Sequence, residues 1–421
     1  MSFSFNTALS GLNANTNALN VVGNNIANAN TTGFRSSQIT FADIYATSEG
    51  ARMNGAGNPM QTGNGVKTAA IHTNFTQGNM SESTSPLHAG IEGNGFFVVK
   101  KTDGTSGYTR AGDFSVNNQG FLVSPSGGRV QGYMAQNGVI PTGAALADLK
   151  LPLGQTLSPQ ITTEATLRMN LNSSAPTGSV FNSTVQVYDS RGTAHPLTLT
   201  FTRQANGSFD MTAEMDGNPA ELAENGGAAS NTPVNFTFDA NGNLTSPTSL
   251  DIIPDQSQLG IASLPSVAIN LRETNPDNTP GAFNITSFAL PSAVASTTQD
   301  GYSAGELSGA TVDANGTIFG VFTNGQTLTI GQYALATFNS EEGLLRSGNN
   351  MFNETLSSGQ ATIGAPGSGG RGIIAGGYLE QSNVNITGEF VELIEAQRGF
   401  QANSRVISSM NQTFQDLLQN I

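Results

Sequence analysis

Apolar residues recur every seven positions at both ends of the chain, and this repeat constrains the fold most. Residues spaced three, four and seven apart share one helix face, so the repeat predicts two long terminal helices with coiled-coil-like packing. Each helix needs a partner for its apolar stripe. The stripe residues are Phe5, Leu9, Leu12, Leu19, Val22 and Ile26 at the N-terminal end, and Phe390, Leu393, Ile394, Phe400, Ile407, Met410, Phe414, Leu417, Leu418 and Ile421 at the C-terminal end.

Asparagine fills the polar face of the first helix, and no charged residue or histidine occurs between Met1 and Phe34. Asparagine is a mediocre helix former, and ion pairs along the helix cannot compensate. We therefore predict that both ends are loosely ordered in a single molecule and become helical when they pack on each other and on neighbouring copies. The alternative is an intramolecular helix pair in a stable monomer.

The composition predicts a mostly β body of two or three compact domains. Of 421 residues, 11% are charged and 50 are glycine, and short apolar runs alternate with Gly, Asn, Asp, Ser and Pro, as is typical of short strands joined by turns. The net charge is −14, so we expect no nucleic-acid partner, which would require a basic surface. The acidity favours a soluble, secreted body.

Cysteine is absent, which excludes disulfides, thiolate metal sites and cysteine-derived cross-links. The N-terminal region lacks the basic residues and the continuous apolar core of a cleaved signal peptide. No apolar stretch reaches about 18 residues, so we expect no membrane insertion. If the protein is secreted, we expect an export route that does not read a cleaved signal.

The order of signals along the chain predicts a nested arrangement, in which the chain runs outward and then returns. Regular strand signals over residues 72–150 and 297–353 predict one antiparallel β domain, and residues 151–296 predict a second antiparallel β domain inserted between its halves. Residues 31–71 and 354–377 are predicted connectors, with glycine-rich runs at 50–65 and 359–377 as hinges. Residues 1–30 and 378–421 form the predicted helical domain. The fold class is therefore mainly β with terminal α-helices.

Local signals also mark the helix ends. Gly33 is expected to take the left-handed conformation that ends the first helix, with Phe34 folding back on the last turn. Asn385 is expected to cap the start of the final helix.

Side chains suited to chemistry are sparse. The three histidines, His72, His88 and His195, share no metal or nucleophile spacing, and each is expected in a surface or turn position. The two Asp-Ala-Asn-Gly runs at 239–242 and 313–316 lack calcium-loop spacing and are expected to form hairpin turns with positive φ at both central positions. We assign no catalytic, cofactor-binding or metal residue, and we predict that the chain is not an enzyme.

Several motifs resemble the signatures of bacterial flagellar rod and hook proteins. Residues 10–14, 23–28 and 32–34 resemble the N-terminal signature, and residues 379–384 and 395–403 resemble the C-terminal one. Further similar motifs occur at residues 41–43, 94–97, 108–114, 187–195 and 335–344. The family-signature positions in these segments are Gly23, Asn24, Asn25, Ile26, Ala27, Asn28, Gly33, Phe34, Gln397 and Arg398.

The resemblance implies a helical homopolymer. In that family the terminal helices form a coiled-coil-like inner layer around an export channel, and the β domains lie outside. Subunits leave the cell unfolded through the flagellar type III export apparatus and assemble beneath a cap. The implied partners are other copies of the chain, rod proteins, the hook cap and hook–filament junction proteins, and the implied location is extracellular.

The chain length and the motif at 187–195 resemble the hook members of the family more than the rod members. A hook is a curved, flexible tube that acts as a universal joint and transmits torque from the rod to the filament. The near alternative is a distal rod subunit. A secreted β-rich adhesin or cap-like binding module is a second alternative, although it would not need two heptad ends.

Overall fold

The computed structural model describes residues 2–44, 47–53, 59–255, 264–274 and 280–419. In these ranges the chain is mainly β with a long helix at each end, which confirms the predicted fold class. It divides into two compact units. Unit 1 comprises Met1–Leu153, Gly309–Gly320 and Thr327–Ile421, and unit 2 comprises Gly154–Ser308 and Val321–Gln326. The finer division into a helical domain, connectors and two β domains stays a prediction.

The helices are α1 (Ser2–Ala27) and α2 (Ile386–Gln419), and a short 3-10 helix spans Glu341–Gly343. Before residue 154 the strands are β1 (Ser37–Asp43), β2 (Thr47–Met53), β3 (Pro59–Thr62), β4 (Val66–Thr73), β5 (Met80–Glu82), β6 (Ala89–Glu92), β7 (Phe96–Lys100), β8 (Ser106–Thr109), β9 (Ser115–Val116), β10 (Leu122–Val123), β11 (Arg129–Met134) and β12 (Ala147–Asp148).

The central part of the chain contributes β13 (Thr156–Leu157), β14 (Glu164–Asn170), β15 (Val180–Tyr188), β16 (Ala194–Arg203), β17 (Phe209–Met215), β18 (Asn218–Glu224), β19 (Val234–Phe238), β20 (Leu244–Ser246), β21 (Leu250–Ile253), β22 (Val267–Ile269), β23 (Arg272–Thr274), β24 (Pro280–Phe283), β25 (Ile285–Thr286) and β26 (Ala293–Gln299). The returning chain forms β27 (Gly305–Val312), β28 (Thr317–Phe322), β29 (Thr327–Tyr333), β30 (Leu335–Thr337), β31 (Leu345–Arg346), β32 (Met351–Asn353), β33 (Thr362–Gly364), β34 (Ile373–Gly376) and β35 (Tyr378–Glu380).

Unit 1 joins strands from distant parts of the chain in one sheet, whose order includes β29-β11-β7-β8-β32-β31. β30 pairs with both β7 and β33. Behind this sheet, the Phe97 ring meets Phe114 edge-on with 5.0 Å between centroids and lies 5.6 Å from Tyr333. Tyr333 is fully buried, and its hydroxyl donates a hydrogen bond to the Leu87 carbonyl (3.1 Å). Interlocked aromatic rings therefore hold the two halves of this β body together.

Unit 2 contains its own sheet, in the order β15-β16-β17-β18-β21-β22-β14-β25. The prediction that this domain is antiparallel is wrong for β14, which pairs in parallel with β22 and β25. Buried and more exposed side chains alternate along its strands, because one face of the sheet is buried. In β16, Leu197, Leu199 and Phe201 are buried, and they lie opposite the buried Met215, Ala213 and Met211 of β17.

Both predicted connectors are more ordered than an extended chain. In residues 31–71, β1 pairs with β4 from Ser37↔Thr73 to Asp43↔Val66, and β2 pairs with β3. Residues 45–46 and 54–58 of this connector lie outside the described ranges. In residues 354–377, β33 pairs with β30 and β34 pairs with β6. The predicted hinge at 359–377 is wrong because its glycines permit close backbone approach: a Cβ at Gly376 would lie 2.2 Å from the Val312 carbonyl oxygen.

The Asp-Ala-Asn-Gly runs form hairpin turns, but only their glycine has positive φ, at 79° for Gly242 and 72° for Gly316. In each turn the aspartate accepts backbone hydrogen bonds from residues two and four positions later, for example from Asn315 (2.9 Å) and Thr317 (2.7 Å) to Asp313. The prediction of positive φ at both central positions is therefore wrong, because the aspartate side chain stabilises a type I turn followed by a left-handed glycine.

Gly112 provides a test of the packing of unit 1. A Cβ added there would lie 1.6 Å from the Ala89 carbonyl oxygen, so Gly112→Ala forces two backbone segments apart and is expected to cost about 3 kcal/mol of unfolding free energy. Gly309→Ala is the matched control because a Cβ there meets no atom within 4 Å. Urea unfolding followed by circular dichroism measures both. Equal stability of the two variants would contradict the close contact.

Candidate functional site

The terminal helices pack against each other within one chain and run antiparallel. Near the end of α1, the Asn25 amide donates a hydrogen bond to Glu389 Oε1 at the start of α2 (2.9 Å). Near the beginning of α1, Gly11 lies against Asn403, farther along α2. The contact is the intramolecular pair that the sequence leaves open as an alternative. The expectation that the helices order only on assembly stays a prediction.

Small residues form the buried face of α1. Ala8, Ala14, Ala18 and Val22 are buried, and their spacing places them on one side of the helix. The larger predicted stripe residues lie beside or outside this face: Leu12, Leu19 and Ile26 are half-buried, and Phe5 and Leu9 are 36% and 40% exposed. Of the α1 stripe, only Val22 is buried.

The predicted stripe residues of α2 likewise fall into a more buried group and an exposed group. Leu393, Phe400, Ile407 and Met410 are half-buried, whereas Phe390, Ile394 and Phe414 are 49%, 48% and 43% exposed. The exposed Ile386, Phe390 and Ile394 follow one another at every fourth position and therefore line one side of the helix. We call Phe5, Leu9, Ile386, Phe390 and Ile394 the outer apolar residues. The side chains of Leu417 and Leu418, and all of Ile421, lie outside the described part of the chain.

The structure confirms the predicted cap of α2 and the predicted conformation of Gly33, but not the position at which α1 ends. Gly33 has the expected left-handed φ of 65°, yet α1 ends at Ala27. Asn385 precedes α2, and its side-chain oxygen accepts a hydrogen bond from the Gly388 backbone N–H (3.3 Å), which satisfies a donor that the first turn would leave unpaired.

Asn25 fixes the chain as it leaves α1. It is buried, and its amide donates to the Ser37 carbonyl (2.8 Å) while its oxygen accepts from the Ser37 N–H (2.9 Å). With its bond to Glu389, one side chain joins α1, the start of β1 and α2. This explains one asparagine of the 23–28 signature in physical terms.

A buried ion cluster lies where the chain enters and leaves the β body. Arg35 Nη2 lies 2.7 Å from Glu380 Oε1, and both side chains are fully buried. Arg110 Nη1 lies 3.5 Å from Glu380 Oε2, and the Arg110 guanidinium lies 5.1 Å from the centre of the Phe96 ring. We call Arg35, Arg110 and Glu380 the buried ion cluster.

Burying two guanidinium groups beside one carboxylate carries a large desolvation cost. Burial, followed by the like charge of Arg35, lowers the pKa of Arg110 to about 10, and Glu380 opposes that shift. Arg110 therefore stays charged at neutral pH, and two cations share one carboxylate. Nε and Nη1 of both arginines are buried without a hydrogen-bond partner, so the cluster depends on the Glu380 charge to stabilise both guanidinium groups.

Backbone contacts complete the junction. Glu380 Oε1 also accepts from the Gly78 N–H (2.8 Å), and the Glu380 carbonyl accepts from the Gly33 N–H (2.7 Å). Asn383 accepts from the Ser36 N–H (2.7 Å) and donates to the Asn74 carbonyl (2.9 Å). Segments before and after the β body are therefore bonded to each other as well as to it.

Sequence reasoning missed the role of the buried ion cluster. Its members lie in or beside motifs at 32–34, 108–114 and 379–384, and the oppositely charged partner of each lies far away in sequence. The available signal was a charged residue within a motif of mainly uncharged residues. Among the other signature positions, Gly23, Asn24, Ala27, Gln397 and Arg398 are exposed, Asn28 is half-buried and Phe34 is buried.

Of the three histidines, only His195 departs from the expected surface or turn position. His72 is exposed and His88 is half-buried, but His195 is buried, with Nδ1 2.6 Å from Asp216 Oδ2 and Nε2 3.7 Å from Asp189 Oδ2. The prediction fails for His195 because β16 turns it toward these carboxylates. Within the described ranges, no group of three or more metal-ligating side chains converges.

Neither helix has, over its described residues, the length and apolarity that a membrane crossing requires.

Four family models match successive parts of the chain. They are described as flagella basal body rod protein (residues 5–35), flagellar hook protein FlgE/F/G D1 domain (90–170), flagellar basal body protein FlaE D2 domain (153–302) and flagellar basal body rod FlgEFG protein C-terminal (375–420). The matched segments include both helices and strands of both units. The class of protein that they define is the flagellar rod and hook proteins.

Similar curated proteins narrow this class. The flagellar hook protein FlgE of Treponema pallidum is 35% identical, with 96% of each chain covered. That of Escherichia coli is 33% identical over 98% of this chain and 99% of its own, and that of Salmonella typhimurium is 34% identical over 99% of both. The chain belongs to the flagellar hook protein FlgE family.

A solved structure supports the fold. The crystal structure of Helicobacter pylori flagellar hook protein FlgE2 aligns with a TM-score of 0.52 at 14% identity, covering 72% of this chain and all of that one.

Glu380→Gln tests the buried ion cluster. The variant keeps the side-chain shape but leaves two buried guanidinium groups without their counter-charge, so we expect a loss of about 3–5 kcal/mol in unfolding free energy. Glu342→Gln, at an exposed glutamate, should change stability by no more than about 0.5 kcal/mol. Urea unfolding measures both, and similar values would show that the cluster contributes little.

The stability of the helix pair should depend on the titration of Glu389. Burial raises the pKa of this carboxyl, Asn25 opposes the shift through its hydrogen bond, and Glu392 adds to it. The folded chain therefore binds the proton more tightly than the unfolded chain does. The resulting stability is fully present below the unfolded pKa of 4.5 and is lost as the pH rises through the higher folded value.

Glu389→Gln removes this titration. The difference in urea midpoint between the parent chain and the variant, followed through the helical signal, should shift in favour of the parent as the pH falls from 7 to below 4.5. Comparing the two chains cancels the contributions of other titrating groups. A difference that is independent of pH would rule out the proposed burial of Glu389.

Proposed function

We propose that this chain is a structural subunit of the bacterial flagellar hook. It polymerises into a curved, flexible tube that encloses the export channel and acts as a universal joint between rod and filament. Membership of the hook protein family supports the assignment. The observation that carries self-assembly is that helix pairing leaves the outer apolar residues exposed.

Exposure of these residues is costly in water. Burying a large aliphatic or aromatic side chain is worth about 1.5–3 kcal/mol, and on both helices the outer apolar residues recur at four-residue spacing, as partners in a helical layer require. Small residues bring α1 and α2 together, while large residues face away from this contact. We propose that copies of the chain bury these large residues against one another and so form the inner layer of the tube.

Torque must pass from the helices to the β body without loss. The buried ion cluster, Asn25 and Asn383 bond the chain on both sides of that body. The returning segment at 354–377 is paired with β6 and β30. We therefore place the bending of the tube in contacts between copies, which small polar interfaces can rearrange at low cost, and not in the predicted hinge at 359–377.

The remaining assignments follow from the same proposal. Residues 1–30 and 378–421 form the polymerising inner domain, and the β domains form the outer layers. The subunit is exported by the flagellar type III apparatus without a cleaved signal peptide and is located outside the cell. Its partners are rod proteins, the hook cap and the hook–filament junction proteins, and the role is structural, without a cofactor or an enzymatic activity.

Phe390→Asp combined with Ile394→Asp tests the proposal. Both side chains are about half exposed in the single chain. The unfolding free energy of the variant, measured with urea, should therefore equal that of the parent within about 0.5 kcal/mol. In the tube each aspartate would be buried without a partner, at a cost of about 3–5 kcal/mol per copy. We expect no hook in cells that express only this variant.

Gln401→Asp is the matched control because Gln401 is an exposed polar residue of the same helix. Electron microscopy of basal bodies is the measurement. Cells that lack the chain should show rods without an external appendage, and the parent should restore the hook. Shortened rods in the deletion would favour the distal rod alternative, and normal hooks from the double variant would exclude the outer apolar residues from assembly.

A further inference from the structure

Two glycine–asparagine pairs meet at the contact between the terminal helices. A Cβ at Gly11 of α1 would lie 2.8 Å from Asn403 Nδ2, and a Cβ at Gly399 of α2 would lie 2.6 Å from Asn15 Oδ1. Both distances are shorter than a Cβ contact allows. Each glycine therefore forms a notch that is filled by an asparagine of the opposite helix.

Each asparagine is also held by its own helix. Asn15 Nδ2 donates to the Gly11 carbonyl (2.7 Å), and Asn403 Nδ2 donates to the Gly399 carbonyl (2.9 Å). The two helices thus repeat one arrangement, in which the asparagine bonds the carbonyl of the glycine four residues earlier and enters the other helix's notch. Each asparagine side chain is therefore held in position by its own helix as well as by the opposite one.

These two contacts share one antiparallel register with the Asn25–Glu389 contact. Between the Gly11–Asn403 and Asn15–Gly399 contacts, four residues along α1 match four residues backward along α2. From Asn15–Gly399 to Asn25–Glu389, ten residues match ten. The helices therefore keep one register without interruption over this length.

We infer that Gly11, Asn15, Gly399 and Asn403, which we call the register key, select this register. The apolar repeats cannot do so alone, because a seven-residue slip places repeat positions opposite repeat positions again. Such a slip would move Asn15 from Gly399 to the level of Val406 or Glu392, where a side chain occupies the place of the notch. A one-turn slip would likewise remove Asn403 from Gly11.

The register key positions other residues for assembly, and this consequence rests on the proposed function. The register fixes the offset between Phe5 and Leu9 on α1 and Phe390 and Ile394 on α2. A helical polymer repeats the same contact in every copy, so molecules with slipped helices would present a mismatched surface. The register key acts through the outer apolar residues and need not touch a neighbouring copy.

Introduced cysteine pairs measure the register directly, since the chain contains no cysteine of its own. Ala18 and Ala396 are buried and share one level of the register, whereas Ala14 lies about one turn away. In the full-length chain, mild oxidation should cross-link Ala18→Cys with Ala396→Cys at least about tenfold faster than Ala14→Cys with Ala396→Cys. A lack of preference would overturn the register itself.

Gly11→Ala and Gly399→Ala, introduced together, fill both notches. Alanine favours helix over glycine, so each helix should gain propensity while the cross-linking preference falls below about twofold. Gly23→Ala, introduced alone into the same cysteine-pair chains, is the control for helix propensity, because a Cβ there meets no atom within 4 Å. This control should keep the tenfold preference. Full preference in the double alanine variant would overturn the register key.

Tube formation is scored separately from cross-linking. A double alanine variant that loses the preference and also fails to form hooks supports the link between register and assembly. A variant that loses the preference but still forms normal hooks overturns that link while leaving the proposed function intact. Failure of the proposed function itself would appear instead in cells that lack the chain, as shortened rods or as hooks that still form.

Discussion

The attraction between Glu380 and the two arginines that share it determines how the terminal helices are attached. Arg35 follows α1, Glu380 precedes α2 and Arg110 belongs to the β body, so one carboxylate joins three segments that are far apart in sequence. Full burial makes the arrangement selective, because moving any one segment would leave a charge in an apolar interior without its partner. The same segments are held by Asn25 and Asn383 through hydrogen bonds to the backbone. A rigid attachment of this kind suits a subunit that carries mechanical load.

The helix pair shows how much a heptad pattern can and cannot predict. The repeat correctly located both helices, but it did not distinguish the face that packs within the chain from the face that stays exposed. Ala8, Ala18 and Gly11 decide this, because small residues allow α1 and α2 to approach closely and leave Phe390 and Ile394 outside. A pattern of apolar positions treats alanine and phenylalanine alike, whereas packing depends on their volumes.

Local signals predicted the β body well where one rule governed each element. Asn385 caps α2 as predicted, and Gly33 takes the predicted left-handed conformation, although α1 already ends at Ala27. Prediction failed where contacts are long-range. The glycines at 359–377 resembled a flexible hinge, but they allow strands such as β34 to lie close to other backbone. Nothing near His195 in sequence indicates Asp216, and nothing near Arg35 indicates Glu380, because these pairs form only when the chain folds.

The absence of charge from the first 34 residues has a consequence for the environment in which the protein works. Dissolved salt weakens attractions and repulsions between charges, with a screening length of about 8 Å at physiological ionic strength. The α1 surface has no side-chain charge on which screening can act, so its contacts rest on shape, apolar burial and hydrogen bonds. Surroundings of low and of high ionic strength should therefore affect these contacts almost equally.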